Sequence, residues 1–232
     1  MNKIGIIGAM ELEVETLKEK MTINNIVKKA SMDFYEGILN GVSVVIVRSG
    51  VGKVNAGICV QILADLFQVT HIINTGVAGS LNAKIDIGDV VVSTDAMYHD
   101  VDATIFGYQP GEIPQMGQRE FIADKALVEL TQTVCAKVNP DIHIFSGRVV
   151  SGDQFVSDKS VKERLVNVFG GFCTEMEGTA IAQAATLNSI PFVIIRAISD
   201  KADEAAEMDY PAFERKAAAD CAKLVAHMIQ KI

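Results

Sequence analysis

The chain has 232 residues, of which 49% are hydrophobic and 22% charged, so it fits one domain with a sizeable aliphatic core and is not disordered. Its formal net charge of -8 argues against nucleic acid or an anionic membrane as a partner. Four widely spaced cysteines without a CxxC pair predict buried free thiols, not a disulfide framework or a zinc site. The first residues enter a strand directly, and no apolar run reaches the roughly 20 residues of a membrane helix. We therefore expect a cytoplasmic protein.

The first predicted elements are a short buried strand, Lys3 to Ala9, and an acidic helix that begins at Met10. Glu11 and Glu15 are explained as carboxylates near a helix N-terminus, where the helix dipole favours negative charge. Glu13 lies one turn into the helix, close to the end of the strand. It is therefore the glutamate of this helix that could face a cleft.

A hairpin and a glycine-rich turn follow. Two apolar runs, Phe34 to Leu39 and Val42 to Arg48, flank Asn40-Gly41, a pair that favours a two-residue hairpin. The next stretch, RSGVGKVNAG, lacks the Walker pattern, and the dinucleotide fingerprint fails at Asn55. We interpret it as a tight strand-to-helix turn that lets the backbone approach a small ligand.

Small residues end the next predicted strand, in which His71 to Thr75 leads into TGVAGS. Such residues at the carboxyl end of a strand indicate close approach of a ligand. A further strand, Gly88 to Ser93, leads into a long irregular segment from Asp95 to about Arg119. A loop of this length in a compact domain is usually functional or covers an interface. His99 within it has no second ligand at a suitable spacing, so we predict no metal site.

The second half continues with a helix, Ala123 to Val138, and a strand, Ile144 to Ser151, that runs into SGDQFVSD. Further along, Glu175 and Glu177 flank Met176 just before a helix of small residues. A position at the helix N-terminus explains one of the two glutamates. Alternation along an extended segment would instead place both on the same side.

The strongest candidate for a catalytic wall is Pro191 to Asp203, with the sequence PFVIIRAISDKAD. It is typical of a strand buried on both faces, yet it carries Arg196, Ser199 and Asp200. Buried charges must be satisfied locally, or several kcal/mol of stability are lost. Ligands of α/β proteins bind at the carboxyl ends of strands. The ordinary alternative is that Arg196 pairs with Asp200, or that Asp200 caps the next helix.

The strands alternate with helices along the whole chain, and a last helix runs from Tyr210 to about Ile229. This alternation predicts an α/β fold, a three-layer α/β/α sandwich around a mostly parallel central sheet. There is no repeat, linker or low-complexity tract. We therefore expect a single domain over residues 1–232.

Eight motifs taken in order resemble one family over the whole chain. They are GIIGAMELEV, SGVGKVNAG, NTGVAGS, GDVVVS, YHDVDATIFGY, VVSGDQF, TEMEGTA and VIIRAISDKAD. Their order and spacing are similar to those of bacterial 5′-methylthioadenosine/S-adenosylhomocysteine nucleosidases, members of the nucleoside phosphorylase superfamily. The resemblance implies that the mostly parallel central sheet is mixed and partly barrel-like. It also implies a homodimer, adenine thionucleosides as substrates, and no metal or organic cofactor.

The resemblance also implies roles for individual residues. Glu13 would be the general base that activates water, and Asp200 the general acid that protonates adenine N7. The other substrate-binding residues that it implies are Met10, Val51, Gly79, Phe155, Val156, Met176, Glu177, Arg196, Ser199 and Tyr210. The neighbouring subunit would close the alkylthio pocket with Ala103, Phe106 and Pro114.

Within these implied roles, Glu177 would hold the ribose hydroxyls above Met176, and Phe155 would stack on the adenine. Three positions depart from the family pattern. Val77 stands where a hydroxyl residue is frequent, Tyr210 where phenylalanine is common, and Leu12 where an acidic residue is usual. Tyr210 should still pack on the ligand.

The residue types fit this chemistry on their own account. Cleavage of an N-glycosidic bond leaves a cation-like ribose and an anionic purine. A general acid beside the purine and a carboxylate beside the ribose therefore both accelerate the cleavage. The division of labour resembles that of inverting glycoside hydrolysis. For Asp200 to act as an acid near neutral pH, burial or a like charge must raise its pKa.

Two alternatives remain at this point. A phosphorylase of the same superfamily would need a basic pocket for phosphate, whereas the first strand end offers Glu11, Glu13 and Glu15 and no arginine. A non-catalytic purine-binding module would not need both Glu13 and Asp200. The sequence does not rank methylthioadenosine, adenosylhomocysteine and 5′-deoxyadenosine as substrates.

Overall fold

The computed structural model describes residues 2–202 and 206–232, so Asp203, at the end of the predicted catalytic stretch, lies outside the described residues. The strands are β1 (Lys3–Gly8), β2 (Thr22–Lys29), β3 (Met32–Leu39), β4 (Val42–Arg48), β5 (His71–Ser80), β6 (Val90–Tyr98), β7 (Phe121–Ile122), β8 (Ile144–Ser151), β9 (Cys173–Glu175) and β10 (Phe192–Asp200). The α-helices are α1 (Glu11–Lys20), α2 (Lys53–Asp65), α3 (Lys125–Val138), α4 (Lys159–Phe169), α5 (Gly178–Leu187) and α6 (Ala206–Met228). No helix in these two ranges is long and apolar enough to span a membrane.

All of these strands join one mixed sheet in which part of the sheet closes on itself. Strand β5 pairs with both β9 and β10, and the path β10-β6-β8-β9 completes the ring. Strands β1, β4, β3 and β2 extend from β5 as an open sheet. The mixed, partly barrel-like sheet is therefore confirmed.

Parallel pairing is less dominant than the sequence predicts. Among the described strand pairs, five are parallel and five antiparallel. The parallel pairs include the central row β4-β1-β5-β10, whereas the hairpins and the closure of the ring require antiparallel neighbours. The sheet is mixed throughout.

The predicted hairpin is present, whereas two strands, β2 and the two-residue β7, were missed. Asn40 and Gly41 have φ of 51° and 82°, the left-handed conformations that a tight hairpin turn between β3 and β4 requires. Strand β2 pairs with β3 as an edge strand and is largely exposed. Because its sequence, TINNIVKK, has no buried apolar face, hydrophobic periodicity does not reveal it.

Helices cover both faces of the sheet, as a three-layer sandwich requires. One apolar cluster contains Leu63 of α2 and Ile181 of α5, and the other contains Leu17 of α1 and Leu224 of α6. Each cluster also takes residues from the strands between the helices. The predicted three-layer α/β/α arrangement is confirmed.

Strand β10 is buried along its whole length, so its polar residues lie in the interior. Ile194 and Ile198 pack into one apolar cluster, and Val193 and Ile195 into the other. The pairing of β10 with β5 is irregular between Ile198 and Asp200. Such an irregularity re-aims side chains at the end of a strand, which is where Asp200 lies.

Candidate active site

A cavity of about 220 Å³ opens where the carboxyl ends of several strands meet. The ends of β1, β5, β9 and β10 supply its walls, together with the turn after β4, the loop after β8 and the start of α6. Glu13 and Asp200 both line it, although they lie near opposite ends of the sequence. The two predicted catalytic carboxylates therefore face one space.

Most of the other predicted substrate-binding residues line the same cavity. They are Met10, Val51, Gly79, Phe155, Met176, Glu177, Ser199 and Tyr210. Val156 is buried and lines a smaller adjoining space of about 40 Å³, which shares Gly79, Phe155, Met176 and Asp200 with the main cavity. Arg196 lies behind the wall.

The Glu13 carboxylate is held by backbone N–H groups from two strand ends. Its Oε2 accepts from Ala9 (2.7 Å) and Met10 (3.0 Å), and its Oε1 accepts from Val77 (3.0 Å). Burial raises the pKa of this carboxyl, although the charge of Arg196 and the three backbone N–H groups lower it in part. A fixed carboxylate with a raised pKa has the properties of a general base.

The Asp200 carboxylate is buried and fixed at the carboxyl end of β10. Its Oδ2 accepts from the Ser199 hydroxyl (2.9 Å), and its Oδ1 accepts from the backbone N–H of Ala202 (2.8 Å). A Cβ atom on Gly79 would lie 2.7 Å from Oδ1 of Asp200. Glycine at position 79 thus leaves the space that this carboxyl occupies, and the Ser199 hydroxyl fixes the orientation of the carboxylate.

Arg196 pairs with Glu175, and the alternative in which it pairs with Asp200 is wrong. The Nη2 of Arg196 donates to Oε2 of Glu175 and to Oδ1 of Asn74, each at 2.5 Å, and all three side chains are buried. Its effect on Glu13 is one of charge. The hydrogen bonds of Arg196 go to Ile195, Asn74 and Glu175, and none of them goes to Glu13.

Glu175 was not among the predicted site residues, yet it lines the cavity. Its Oε2 also accepts from the backbone N–H groups of Glu177 (3.1 Å) and Gly178 (2.7 Å) at the start of α5, and its Oε1 accepts from Ser151. Burial by itself raises the pKa of Glu175, but Arg196 and these donors outweigh it and lower the pKa. Helix capping, the ordinary interpretation of one glutamate in TEMEG, therefore applies to Glu175.

Glu177 projects toward the turn after β4. Its Oε1 accepts from the backbone N–H of Gly52 at 2.7 Å. Burial raises the pKa of Glu177, and the neighbouring Glu175 charge raises it further. The two glutamates thus have different partners, and Glu177 is the one with the raised pKa.

Aromatic and thioether groups cover another part of the cavity. The Tyr210 hydroxyl donates to Sδ of Met10 at 3.2 Å, and its ring meets that of Phe155 edge-on with centroids 5.8 Å apart. Phe155 is half exposed beside the cavity. A flat aromatic ring on an open cavity can stack on a planar ligand.

The three residues assigned to a partner subunit lie outside this chain's own cavity. Ala103 is buried, whereas Phe106 and Pro114 are exposed, and all three belong to the irregular segment after β6.

Within residues 2–202 and 206–232, no group of three His, Cys, Asp or Glu side chains could hold a metal ion.

Sequence reasoning also missed Thr174, which lines both spaces next to Glu175. Its hydroxyl is buried and has no hydrogen-bond partner within the described residues. A single threonine before the glutamates of TEMEG carries no sequence signal of its own, because threonine is common at the end of a strand.

This fold, with paired carboxylates at the strand ends, places the chain in a known class: it belongs to the phosphorylase superfamily, whose family model matches residues 3–230. The predicted family resemblance is confirmed within that class. A 5′-methylthioadenosine/S-adenosylhomocysteine nucleosidase from Staphylococcus aureus (strain JH9) is 42% identical over 230 residues, which are 99% of this chain and 100% of the relative.

Solved structures agree. The nucleosidase of the same description from Neisseria meningitidis, in complex with methylthio-immucillin-A, has a TM-score of 0.96, 38% identity and complete coverage of both chains. That from Colwellia psychrerythraea 34H, in complex with adenine, has a TM-score of 0.95 and 38% identity, covering 99% of this chain and 95% of that chain. A futalosine hydrolase from Helicobacter pylori has a TM-score of 0.94 and 31% identity, covering 100% of this chain and 98% of that chain.

Proposed function

We propose that this protein is a hydrolase that cleaves the N-glycosidic bond of 5′-methylthioadenosine and S-adenosylhomocysteine, releasing adenine and the 5-substituted ribose. The observation that carries the proposal is the meeting of Glu13 and Asp200 at one cavity. Relatives named for this activity match the chain over nearly its whole length. 5′-Deoxyadenosine, which has the same base and a smaller 5′ group, is a further expected substrate, and the reaction serves methionine salvage.

The two carboxylates divide the chemistry between them. As the bond between C1′ and N9 breaks, its electron pair moves into the purine, and Asp200 donates a proton to N7. Water adds to C1′ and transfers a proton to ionised Glu13. Glu13 ends protonated and Asp200 ionised, and proton exchange with solvent restores both. The Glu13 carboxylate also stabilises the positive charge that develops on the ribose.

The remaining lining residues fit a nucleoside. The ionised Glu177 carboxylate would accept from the ribose 2′- and 3′-hydroxyls, with Met176 beneath the sugar. Phe155 would stack on adenine, while the Val156 backbone reads its edge. No metal or organic cofactor has a part in this proposal.

Water is favoured over phosphate as the nucleophile because the charged side chains that line the cavity, among the described residues, are carboxylates. Arg196, the nearby cation, already pairs with Glu175. An entering phosphate would therefore meet repulsion.

We expect adenine release from methylthioadenosine at the same rate with and without inorganic phosphate. The measurement follows adenine by chromatography in phosphate-free buffer and after addition of phosphate. A strict phosphate requirement would instead make the protein a phosphorylase. Binding of methylthioadenosine without turnover in either buffer would favour the non-catalytic module.

We propose that the protein, a single domain over residues 1–232, acts in the cytoplasm as a homodimer. Exposed apolar side chains surround a groove of about 440 Å³ between α2 and α5. They include Val54 (73% exposed) and Leu187 (66%). A second copy would cover this face and bring its Ala103, Phe106 and Pro114 to the 5′ end of the neighbour's cavity.

Leu187→Asp is expected to shift the protein from dimer to monomer and to lower activity, because burying a charge in an apolar interface is unfavourable. Analytical ultracentrifugation measures the change. Ile26→Asp, on the exposed face of β2, is the matched control and should leave the dimer intact. A wild-type monomer with full activity would contradict the partner's role.

A further inference from the structure

Lys53, the first residue of α2 after the glycine-rich turn, has no part in the chemistry described above, yet it is the centre of an ion-pair cluster. Its Nζ lies 2.6 Å from Oδ2 of Asp100 and 3.8 Å from Oδ2 of Asp153. The Lys53 side chain is 24% exposed and that of Asp100 27%, so both are partly shielded from water. Its Nζ also lies 5.3 Å from the centroid of the Tyr98 ring.

Backbone groups join the same cluster. The N–H of Lys53 donates to Oδ1 of Asp153 (2.9 Å), and the N–H of Asp153 donates to Oδ2 of Asp100 (3.0 Å). Gly52, with φ of 97°, completes the turn, and a Cβ there would lie 3.1 Å from Oδ1 of Asp153. Each of the three charged residues is thus tied to the other two.

The cluster connects three segments that contribute separately to substrate binding. Lys53 follows Gly52, whose N–H donates to Glu177. Asp153 lies two residues before Phe155, in the loop after β8. Asp100 is the second residue of the segment after β6 that carries Ala103 and Phe106.

We propose that Lys53, Asp100 and Asp153 are positioning residues that fix three segments relative to one another, and so set the affinity for the nucleoside. The segments are the turn at Gly52, the loop that carries Phe155, and the segment after β6. The proposal rests on the function proposed above for the identity of the substrate. It also explains the glycine-rich turn without a phosphate, because the two aspartates neutralise its lysine.

Lys53→Met keeps most of the side-chain length and removes the charge. We expect KM for methylthioadenosine to rise about fivefold while kcat stays within about twofold, since positioning affects binding and the reacting groups are unchanged. Lys53→Arg keeps the charge and should stay close to wild type. Lys125→Met, which breaks the exposed ion pair with Glu129 on α3, is the matched control and should leave both constants unchanged.

The salt dependence of KM distinguishes an electrostatic role of Lys53 from a merely structural one. Partly exposed ion pairs are screened by salt, and methylthioadenosine is uncharged. The wild-type KM should therefore rise with sodium chloride toward the value of Lys53→Met, whose own KM should change little. Equal salt dependence in both proteins would contradict the proposal, as would an unchanged KM in Lys53→Met or a Lys53→Arg variant as weak as Lys53→Met.

Calorimetric titration with adenine makes the two proposals separable, because it requires no turnover. Weaker adenine binding in Lys53→Met than in wild type and Lys125→Met would support the positioning role of the cluster, even if wild type released no adenine from methylthioadenosine. Equal adenine affinity in all three proteins would overturn the cluster even if wild type proved an active nucleosidase. Ultracentrifugation of Lys53→Met should show the same oligomeric state as wild type. If the variant dissociated, its weaker binding of ligand would be due to loss of the dimer interface, which would contradict the proposal.

Discussion

Asp200→Asn is expected to lower kcat for methylthioadenosine by about 10³-fold, because general acid catalysis typically contributes two to four orders of magnitude. Asparagine keeps the shape of the side chain and can still accept from Ser199 and Ala202, so the fold should persist. It cannot supply the proton that makes adenine a good leaving group. Steady-state adenine release measures kcat, and circular dichroism and the melting temperature monitor the fold.

Asp33→Asn makes the same chemical change at an exposed position of β3 and serves as the control. It should keep wild-type kcat. Retention of more than about a tenth of wild-type kcat by Asp200→Asn would remove Asp200 from its role as the acid. A large loss in both variants would point to instability.

Glu13→Gln is expected to lower kcat by a similar factor, about 10³-fold, because an amide cannot accept the proton from the attacking water. It should also lower the free energy of unfolding by about 1–3 kcal/mol, since the new NH₂ group must face at least one of the backbone N–H donors of Ala9, Met10 and Val77. Adenine release and urea denaturation measure the two effects. Glu11→Gln, at the exposed start of α1, is the matched control.

The role of Glu13 as general base also predicts how wild-type activity depends on pH. A general base is active when ionised, and burial raises the pKa of Glu13. The value of kcat/KM should therefore fall as pH drops through this raised pKa, at a higher pH than an ordinary glutamate would give. The raised pKa of Glu177 adds to the same acidic limb, because its ribose-binding form is also ionised. Full activity of Glu13→Gln, or a limb at the ordinary pKa of glutamate, would contradict the assignment.

The sequence reveals those site residues that are charged or polar at positions where the surrounding pattern is apolar. The apolar run of β10 makes Arg196, Ser199 and Asp200 conspicuous, because buried charges are costly and rare. Glu13 stands out by its distance from the preceding strand end. The fold class follows from the alternation of strands and helices, and the motif order supplied the family.

What the sequence does not reveal depends on contacts between distant segments. Local reasoning could pair Arg196 only with Asp200 nearby, whereas its partner Glu175 reaches it through the closure of the sheet. Lys53 follows β4 and Asp153 follows β8, about 100 residues later, so no local spacing predicts their contact. The edge strand β2 was missed because its stability comes from pairing with β3 and not from burial.

The measurement that tests the central claim most directly is the identity of the sugar formed from methylthioadenosine in excess inorganic phosphate. Mass spectrometry of the products, with wild type and Asp200→Asn compared side by side, distinguishes the two possible nucleophiles. The two-carboxylate mechanism predicts free 5-methylthioribose from wild type, at a rate far above that of Asp200→Asn. A product carrying phosphate at C1 would contradict it, because phosphate would then have attacked in place of water.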